Sequence, residues 1–262
     1  FFKQMPAYEM LRGLVGSEMC IRDREGITEA GAMSSWIAAA TAYSNHGIAM
    51  IPFYIFYSMF GLQRIGDLAW AAGDQQARGF LIGGTAGRTT LAGEGLQHQD
   101  GHSLLMAASI PNCVSYDPTF NYELAVIIHD GIRRMYTDQE NVFYYVTVMN
   151  ENYAHPPMPE GAQEGILQGM HRLRQAPKGR KAVPRVQLFG SGTILRESMA
   201  AAELLEQDFG VLADLWSVTS YNELARQGRE AVRWNRLHPE AAARPVYVSE
   251  QLADAQGPII AA

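Results

Sequence analysis

Cysteine is nearly missing from this chain, with only Cys20 and Cys113 among 262 residues. Two thiols so far apart make no disulfide framework, so a reducing cytoplasm is the expected setting. Clustered positive charge is missing as well. The chain carries 21 Lys and Arg against 27 Asp and Glu, a formal net charge of −6, with no basic run. That argues against nucleic acid or an anionic membrane as partner, since both select for clustered positive charge. No apolar run reaches the ~20 residues of a membrane span, and Met50 to Met59 gives way to polar residues. No secretory signal, internal repeat or low-complexity segment is visible, and neither a nucleophile elbow nor a Walker signature occurs.

What is present is a large apolar fraction, 47% of residues, ample for one large packed domain or two smaller ones. Residues 1–24 stand apart. The string GSEMCIRDR changes character at Glu25, and Met19 to Arg24 resembles the in-frame translation of a transposon sequencing adaptor. We set 1–24 aside as a non-native segment, against the alternative of an ordinary N-terminal helix with a basic end.

From Glu25 onward helical and extended patterns alternate. Residues 27–45 are Ala-rich with Trp36, Ile37 and Ala40 at helical spacing. The stretch 50–57 is aromatic and β-branched and reads as a strand. Residues 60–75 place Leu62, Ile65, Leu68 and Ala72 on one helical face. A short strand over 78–83 leads into a long polar loop reaching about Ser109. Strand 113–116, helix 119–136 and strand 142–149 follow. The run VFYYVTVM lacks alternation, so it belongs inside a parallel sheet, buried on both faces. After a proline-rich loop, 160–174 is expected to be helical, with Ile166, Met170 and Leu173 stacked. The polar stretch 175–184 is the expected domain boundary. Beyond it the pattern restarts: strand 186–190, helix 193–209, strand 212–219, a helix beginning over 220–226, and AQGPIIAA as the start of a further strand. Two βα units are few for a closed sheet, so truncation at both ends is expected.

The chain is organised around Ile51 to His102, where apolar scaffold runs into a Gly-rich polar loop holding Glu94, His98, Asp100 and His102. Such a loop on a rigid sheet is a usual place for a site. His98 and His102 have a spacing that aligns zinc ligands on a helix, but Gly93, Gly95 and Gly101 argue against a helix and no third ligand is evident. Plain loop histidines, or proton-transfer groups beside a ligand, are the stronger readings. The other histidines are taken as structural. The Gly190-Ser191-Gly192 turn lacks a third glycine and a downstream acid, which favours a tight βα turn over a phosphate site. GGTAG at 83–87 is weaker still. Glu29 opens an Ala-rich helix, where the helix dipole alone accounts for a carboxylate; a carboxylate facing a heterocycle is the alternative. Tyr57 and Phe60 are read as core aromatics or as a stacking platform.

Several segments carry a resemblance: EGITEAGAMSSWIAAATAYS, MIPFYIFYSMFGLQRIGDLAWAAGDQQARGFLIGGTAGRTTLAGEGLQHQDGH, IPNCVSYDP, NENYAHPPMPEGA and GSGTILR. From residue 25 to the end they resemble the homodimeric, bacterial-type decarboxylating component of the pyruvate dehydrogenase complex, a transketolase-like thiamine-diphosphate enzyme. The resemblance implies an α/β fold: a parallel-sheet pyrimidine-binding domain over 25–175, then a partial transketolase C-terminal-like domain over 185–262. It implies that a diphosphate-binding domain, with its Mg²⁺ ligands, lies outside this chain.

By the same resemblance, Glu29 matches the glutamate that hydrogen-bonds a ring nitrogen of the aminopyrimidine, with a carboxyl pKa raised by an apolar pocket. Tyr57 and Phe60 match aromatics packing on that ring, and His98 matches a histidine near thiazolium and substrate. Glu94 and His102 share the matching loop without an assigned role. The sequence departs from the family pattern at Gln99, at Ser103 to Ala108 and in the 175–184 linker. The implied reaction is decarboxylation of pyruvate with acetyl transfer to a lipoyl group on a partner acetyltransferase. A chain holding half of the site is expected to be inactive alone. A relative acting on another 2-oxo acid, or a non-catalytic dimerisation module, are the competing readings.

Overall fold

The computed structural model describes residues 28–84, 98–149, 151–177 and 183–262. They build two four-stranded sheets with helices packed on them. The first sheet holds β1 (Phe53–Tyr57), β2 (Phe80–Gly84), β3 (Cys113–Tyr116) and β4 (Phe143–Thr147) in the order β1-β2-β4-β3. All of its pairings are parallel. β4 sits inside, and every one of its residues is buried, as its unbroken apolar run requires. β1 is an edge strand with an alternating pattern: Phe56 points into the core while Phe53, Ile55 and Tyr57 are exposed.

Helix α1 (Glu29–Ala40) lies on this sheet through Met33, Trp36 and Ala40. Trp36 donates its indole N–H to the carbonyls of Pro52 and Phe80, both at 3.2 Å, tying the helix to the entries of β1 and β2. The helical pattern expected over 27–45 divides at Thr41, with a short α2 (Ala42–Asn45) after it. Helix α3 (Gly61–Asp74) buries Leu62, Ile65, Ala69 and Ala72. Its first turn is set at an angle by non-helical torsions at Ile65. Gly61 is required where that turn begins, because a Cβ there would lie 2.0 Å from the Phe56 ring. On the opposite face of the sheet, α5 (Asn121–Ile132) runs into one π-helical turn, Arg133–Thr137.

Two segments differ from the sequence-based expectation. The polar loop assigned up to Ser109 contains α4 (Ser103–Ala108). Its start is organised by the buried Asp100, whose carboxylate accepts from the amides of His102 at 3.1 Å and Ser103 at 3.0 Å. The helix expected over 160–174 is only α6 (Ala162–Gln168), ended by Gly169 at φ +110°. The next residues form β5 (His171–Arg174), an antiparallel edge strand of the second sheet. That sheet has the order β5-β7-β6-β8, with β6 (Arg185–Gly190), β7 (Leu212–Ser217) and β8 (Ile259–Ala261) parallel. The stretch 175–184, expected to divide two domains, therefore joins β5 to β6 within one sheet. Helix α7 (Ile194–Phe209) packs on one face of that sheet. The other face meets α8 (Tyr221–Leu237) and α9 (Tyr247–Gln251).

The carboxyl ends of β3 and β4 face those of β6 and β7 across a polar junction. Asp117 accepts from Thr147 at 2.5 Å and from Ser191 at 2.9 Å. Its backbone carbonyl accepts from Gly192 N at 3.1 Å. Gly192 has φ +51°, and a Cβ there would meet the Asp117 carboxylate at 2.5 Å. Glu123, fully buried, accepts from the amides of Thr119 and Phe120, from Ser217 Oγ at 2.5 Å, and shares a 2.7 Å contact with His171 Nε2. Buried carboxylates persist only when so partnered. Glu123→Ala is expected to lower the unfolding free energy by about 3–5 kcal/mol by stranding His171 and Ser217. A urea melt in which the midpoint hardly moves would contradict this reading of the junction.

Candidate functional site

In an open parallel sheet the carboxyl ends of the strands form the natural crevice. β1 ends there at Tyr57, and Ser58 N donates to Gly84 O at the end of β2. The chain then turns sharply into α3, so Tyr57 and Phe60 stand at a corner with ring centroids 6.4 Å apart and planes near perpendicular. His98 closes the corner. Its imidazole lies edge-on to Phe60 at 5.3 Å and to Tyr57 at 6.3 Å. Tyr57 keeps 57% of its surface exposed, which leaves a face of the corner open to a flat group.

Glu29 reaches the same corner from the start of α1. The N-cap Thr28 accepts from Gly31 N, and the amino end of the helix favours a negative side chain. The Arg64 guanidinium lies over the Phe60 ring, 4.6 Å from its centroid, and forms an ion pair with Glu29 Oε1. Phe60, Gln63 and Arg64 thus project from one helical turn. Phe60 touches His98, Arg64 holds Glu29, and Gln63 Nε2 lies 2.7 Å from His102 Nε2.

The charge state of Glu29 differs from the expectation of a raised pKa. A hydrogen bond from its own backbone, followed by that from Arg64, holds the carboxyl below the usual carboxylate range. The reason is geometric: the side chain is not enclosed by apolar groups but remains 26% exposed beside a guanidinium. Tyr54, on the neighbouring strand, is shifted the other way by burial and by the nearby Glu29 charge.

The structure therefore brings together Glu29, Tyr57, Phe60 and His98, which lie at separate points of the sequence. Arg64 and Gln63, which sequence reasoning passed over, connect them. Glu94 lies outside the described residues. Asp100 serves the turn before α4, and His102 faces Gln63 while His98 faces the aromatic corner. The two histidines thus have different neighbours, and among the described residues no three metal-ligating side chains converge. The Gly190-Ser191-Gly192 turn is engaged by Asp117 in the inter-sheet junction. His171, read as an ordinary structural histidine, is paired with a carboxylate 48 positions away, a distance at which spacing gives no signal.

With this geometry established, comparison with known proteins gives a consistent outcome. Residues 18–156 match the pyruvate dehydrogenase E1 component middle domain, and residues 169–262 the transketolase-like C-terminal domain. The chain is 62% identical to the pyruvate dehydrogenase E1 component of Cupriavidus necator over 238 residues, 91% of this chain and 26% of that protein. It is 65% identical to the protein of that name from Pseudomonas aeruginosa, over 90% of this chain and 27% of the relative. With the one from Escherichia coli K12 it shares 60% identity over 88% of this chain and 26% of the relative. The chain thus spans about a quarter of the length of the curated relatives it matches. Among solved structures, a transketolase from Pichia stipitis matches 91% of this chain and 30% of its own length, with a TM-score of 0.64 at 14% identity. A transketolase from Campylobacter jejuni matches 90% of this chain and 34% of its own, with a TM-score of 0.61 at 15% identity. These two share the fold.

Arg64→Ala is expected to move the Glu29 carboxyl upward toward the ordinary carboxylate range, because one of the interactions stabilising the anion is removed. The sign follows for stability. The pair contributes above the unfolded carboxyl's range and is lost as pH falls through the depressed folded value. A carbon-detected NMR titration of Glu29 reads the shift directly, and identical curves for both proteins would contradict the pairing.

Proposed function

Because the chain belongs to the pyruvate dehydrogenase E1 component family, whose middle-domain model matches more than half of it, we propose that the corner around Glu29, Tyr57, Phe60 and His98 is the aminopyrimidine-facing half of a thiamine-diphosphate site. The parent protein then decarboxylates pyruvate and passes the acetyl group to a lipoyl group on a partner acetyltransferase. The observation that carries this reading is the convergence, at one sheet edge, of an open aromatic corner, an imidazole and a carboxylate. A flat heterocycle fits such a corner by stacking. The carboxylate can hydrogen-bond a ring nitrogen once the ring takes the place that Arg64 now holds on it.

Thiamine diphosphate supplies the nucleophilic carbon and the electron sink for loss of carbon dioxide when it is bound. The residues of this chain bind and orient. Tyr57 and Phe60 hold the ring. Glu29 holds or accepts a proton at the ring nitrogen, and its carboxyl must rise from its present low value to share that proton. Displacement of Arg64 and exclusion of water by the ring act in that direction. His98 orients the 2-oxo acid and moves a proton near it. The diphosphate and Mg²⁺ contacts belong to a part of the parent protein beyond this chain, in a second subunit of a homodimer working in the cytoplasm. Separate pyrimidine-binding and C-terminal domains, expected from sequence over 25–175 and 185–262, remain part of this proposal, with β5 going to the second because it pairs with β7.

The test uses the full-length parent enzyme. Glu29→Gln is expected to lower carbon dioxide release from pyruvate by about a hundredfold or more, the usual effect of removing a group that moves a proton in the rate-determining chemistry. The 262-residue chain alone is expected to release none. An unchanged rate in the Glu29→Gln enzyme, or turnover by the isolated chain, would overturn the assignment.

A further inference from the structure

Two of the three side chains on the first turn of α3 are explained by the reading above: Phe60 packs on His98 and Arg64 holds Glu29. The third is not. Gln63 Nε2 lies 2.7 Å from His102 Nε2 and 3.9 Å from Met59 Sδ. With the amide nitrogen facing both, each of its two hydrogens has an acceptor. His102 then accepts at Nε2 and, when neutral, carries its proton on Nδ1.

We propose that Gln63 is a positioning residue, tying the 98–102 turn to α3 through His102 and so fixing the His98 imidazole at the aromatic corner. The proposal rests on the reading that His98 faces the substrate. The turn is held at its far end by Asp100, whose buried carboxylate accepts from the amides of His102 and Ser103 and from the Ser103 hydroxyl. That clamp fixes the turn to α4, which packs on α3 through the shared core, and among the described residues the turn's histidines reach α3 by two kinds of contact. One is the edge-on packing of His98 against Phe60 and Tyr57; the other is the Gln63–His102 hydrogen bond. Ring-edge contacts and a single hydrogen bond are of similar strength, so removal of Gln63 takes away a sizeable share of what holds the two imidazoles against α3. The kink at Ile65 sets the first turn of α3 at an angle to the rest of the helix. Gln63 and Arg64 therefore stand on one rigid turn, which ties the placement of His98 to that of Glu29.

The experiment uses the full-length parent enzyme with Gln63→Ala, Gln63→Met and Gln63→Glu. Diethyl pyrocarbonate labelling of the cofactor-free protein, read residue by residue by mass spectrometry, reports histidine accessibility without turnover. In Gln63→Ala, labelling of both His98 and His102 is expected to rise about threefold or more, and kcat to fall about tenfold with little change in KM for pyruvate. Gln63→Met keeps the volume and is expected to behave in the same way, which covers the case of an alanine variant that fails to fold. Gln63→Glu keeps a tie by accepting from His102 Nε2–H. It is expected to restore His98 protection and to shift the pH profile of kcat upward. Unchanged His98 labelling and kcat in both the alanine and methionine variants would overturn the proposal, as would a glutamate variant indistinguishable from them. If the wild-type enzyme does not decarboxylate pyruvate while the labelling pattern still responds to Gln63, the functional reading has failed and the tie has not.

Discussion

The first turn of α3 is the constraint on which the site depends. Three side chains on that turn reach two separate pieces of chain: the start of α1 through Arg64 and Glu29, and the 98–102 turn twice, through Phe60 to His98 and through Gln63 to His102. None of these contacts is strong. An exposed ion pair, an edge-on ring contact and a neutral hydrogen bond each contribute on the order of 1 kcal/mol or less. What makes them decisive is that the turn itself cannot move. Gly61 lies so close to the Phe56 ring that no Cβ would fit between them, and Leu62 and Ile65 are buried beneath it. A rigid platform carrying weak, directional contacts lets its partners adjust to a ligand without being rebuilt.

The same logic separates the site from the rest of the molecule. The junction between the two sheets is built from buried carboxylates that are fully partnered, Asp117 and Glu123 among them. Removing one partner from such an arrangement is costly, so the two sheets are held in a fixed relation. Near Glu29 the corresponding groups remain partly exposed and the carboxylate is ionised. A buried carboxylate serves architecture here, and the half-open one is left accessible to a ligand.

Much of the fold was legible in the sequence because burial writes itself into periodicity. The unbroken run at β4 announced a strand covered on both faces, and Trp36 with Ala40 announced the inner face of α1. Other parts were hidden for physical reasons. Met170 and Leu173 fit a helical stripe, yet Gly169 in the left-handed region ends α6. The next residues form an edge strand, with Met170 buried on one face of the second sheet and Leu173 packed on the other. Helix α4 was masked by its polar approach, because a buried aspartate acting as a helix start looks like loop composition.

For the site, Glu29, Tyr57, Phe60 and His98 were named from a family resemblance, with residue physics alone leaving them ambiguous. Gln63 and Arg64 carried no signal at all, since an exposed polar residue on a helix is uninformative until its partner across the chain is known. The lowering of the Glu29 carboxyl was likewise invisible, because it comes from a backbone hydrogen bond at the helix start and from Arg64, 35 positions downstream.

The most direct test of the account is a crystal structure of the full-length parent enzyme with thiamine diphosphate and Mg²⁺ bound. The account predicts the aminopyrimidine ring against Phe60 and Tyr57, a ring nitrogen about 3 Å from the Glu29 carboxylate, and His98 facing the thiazolium. A cofactor seated elsewhere, or a Glu29 side chain still turned to solvent and Arg64 with the ring in place, would contradict it.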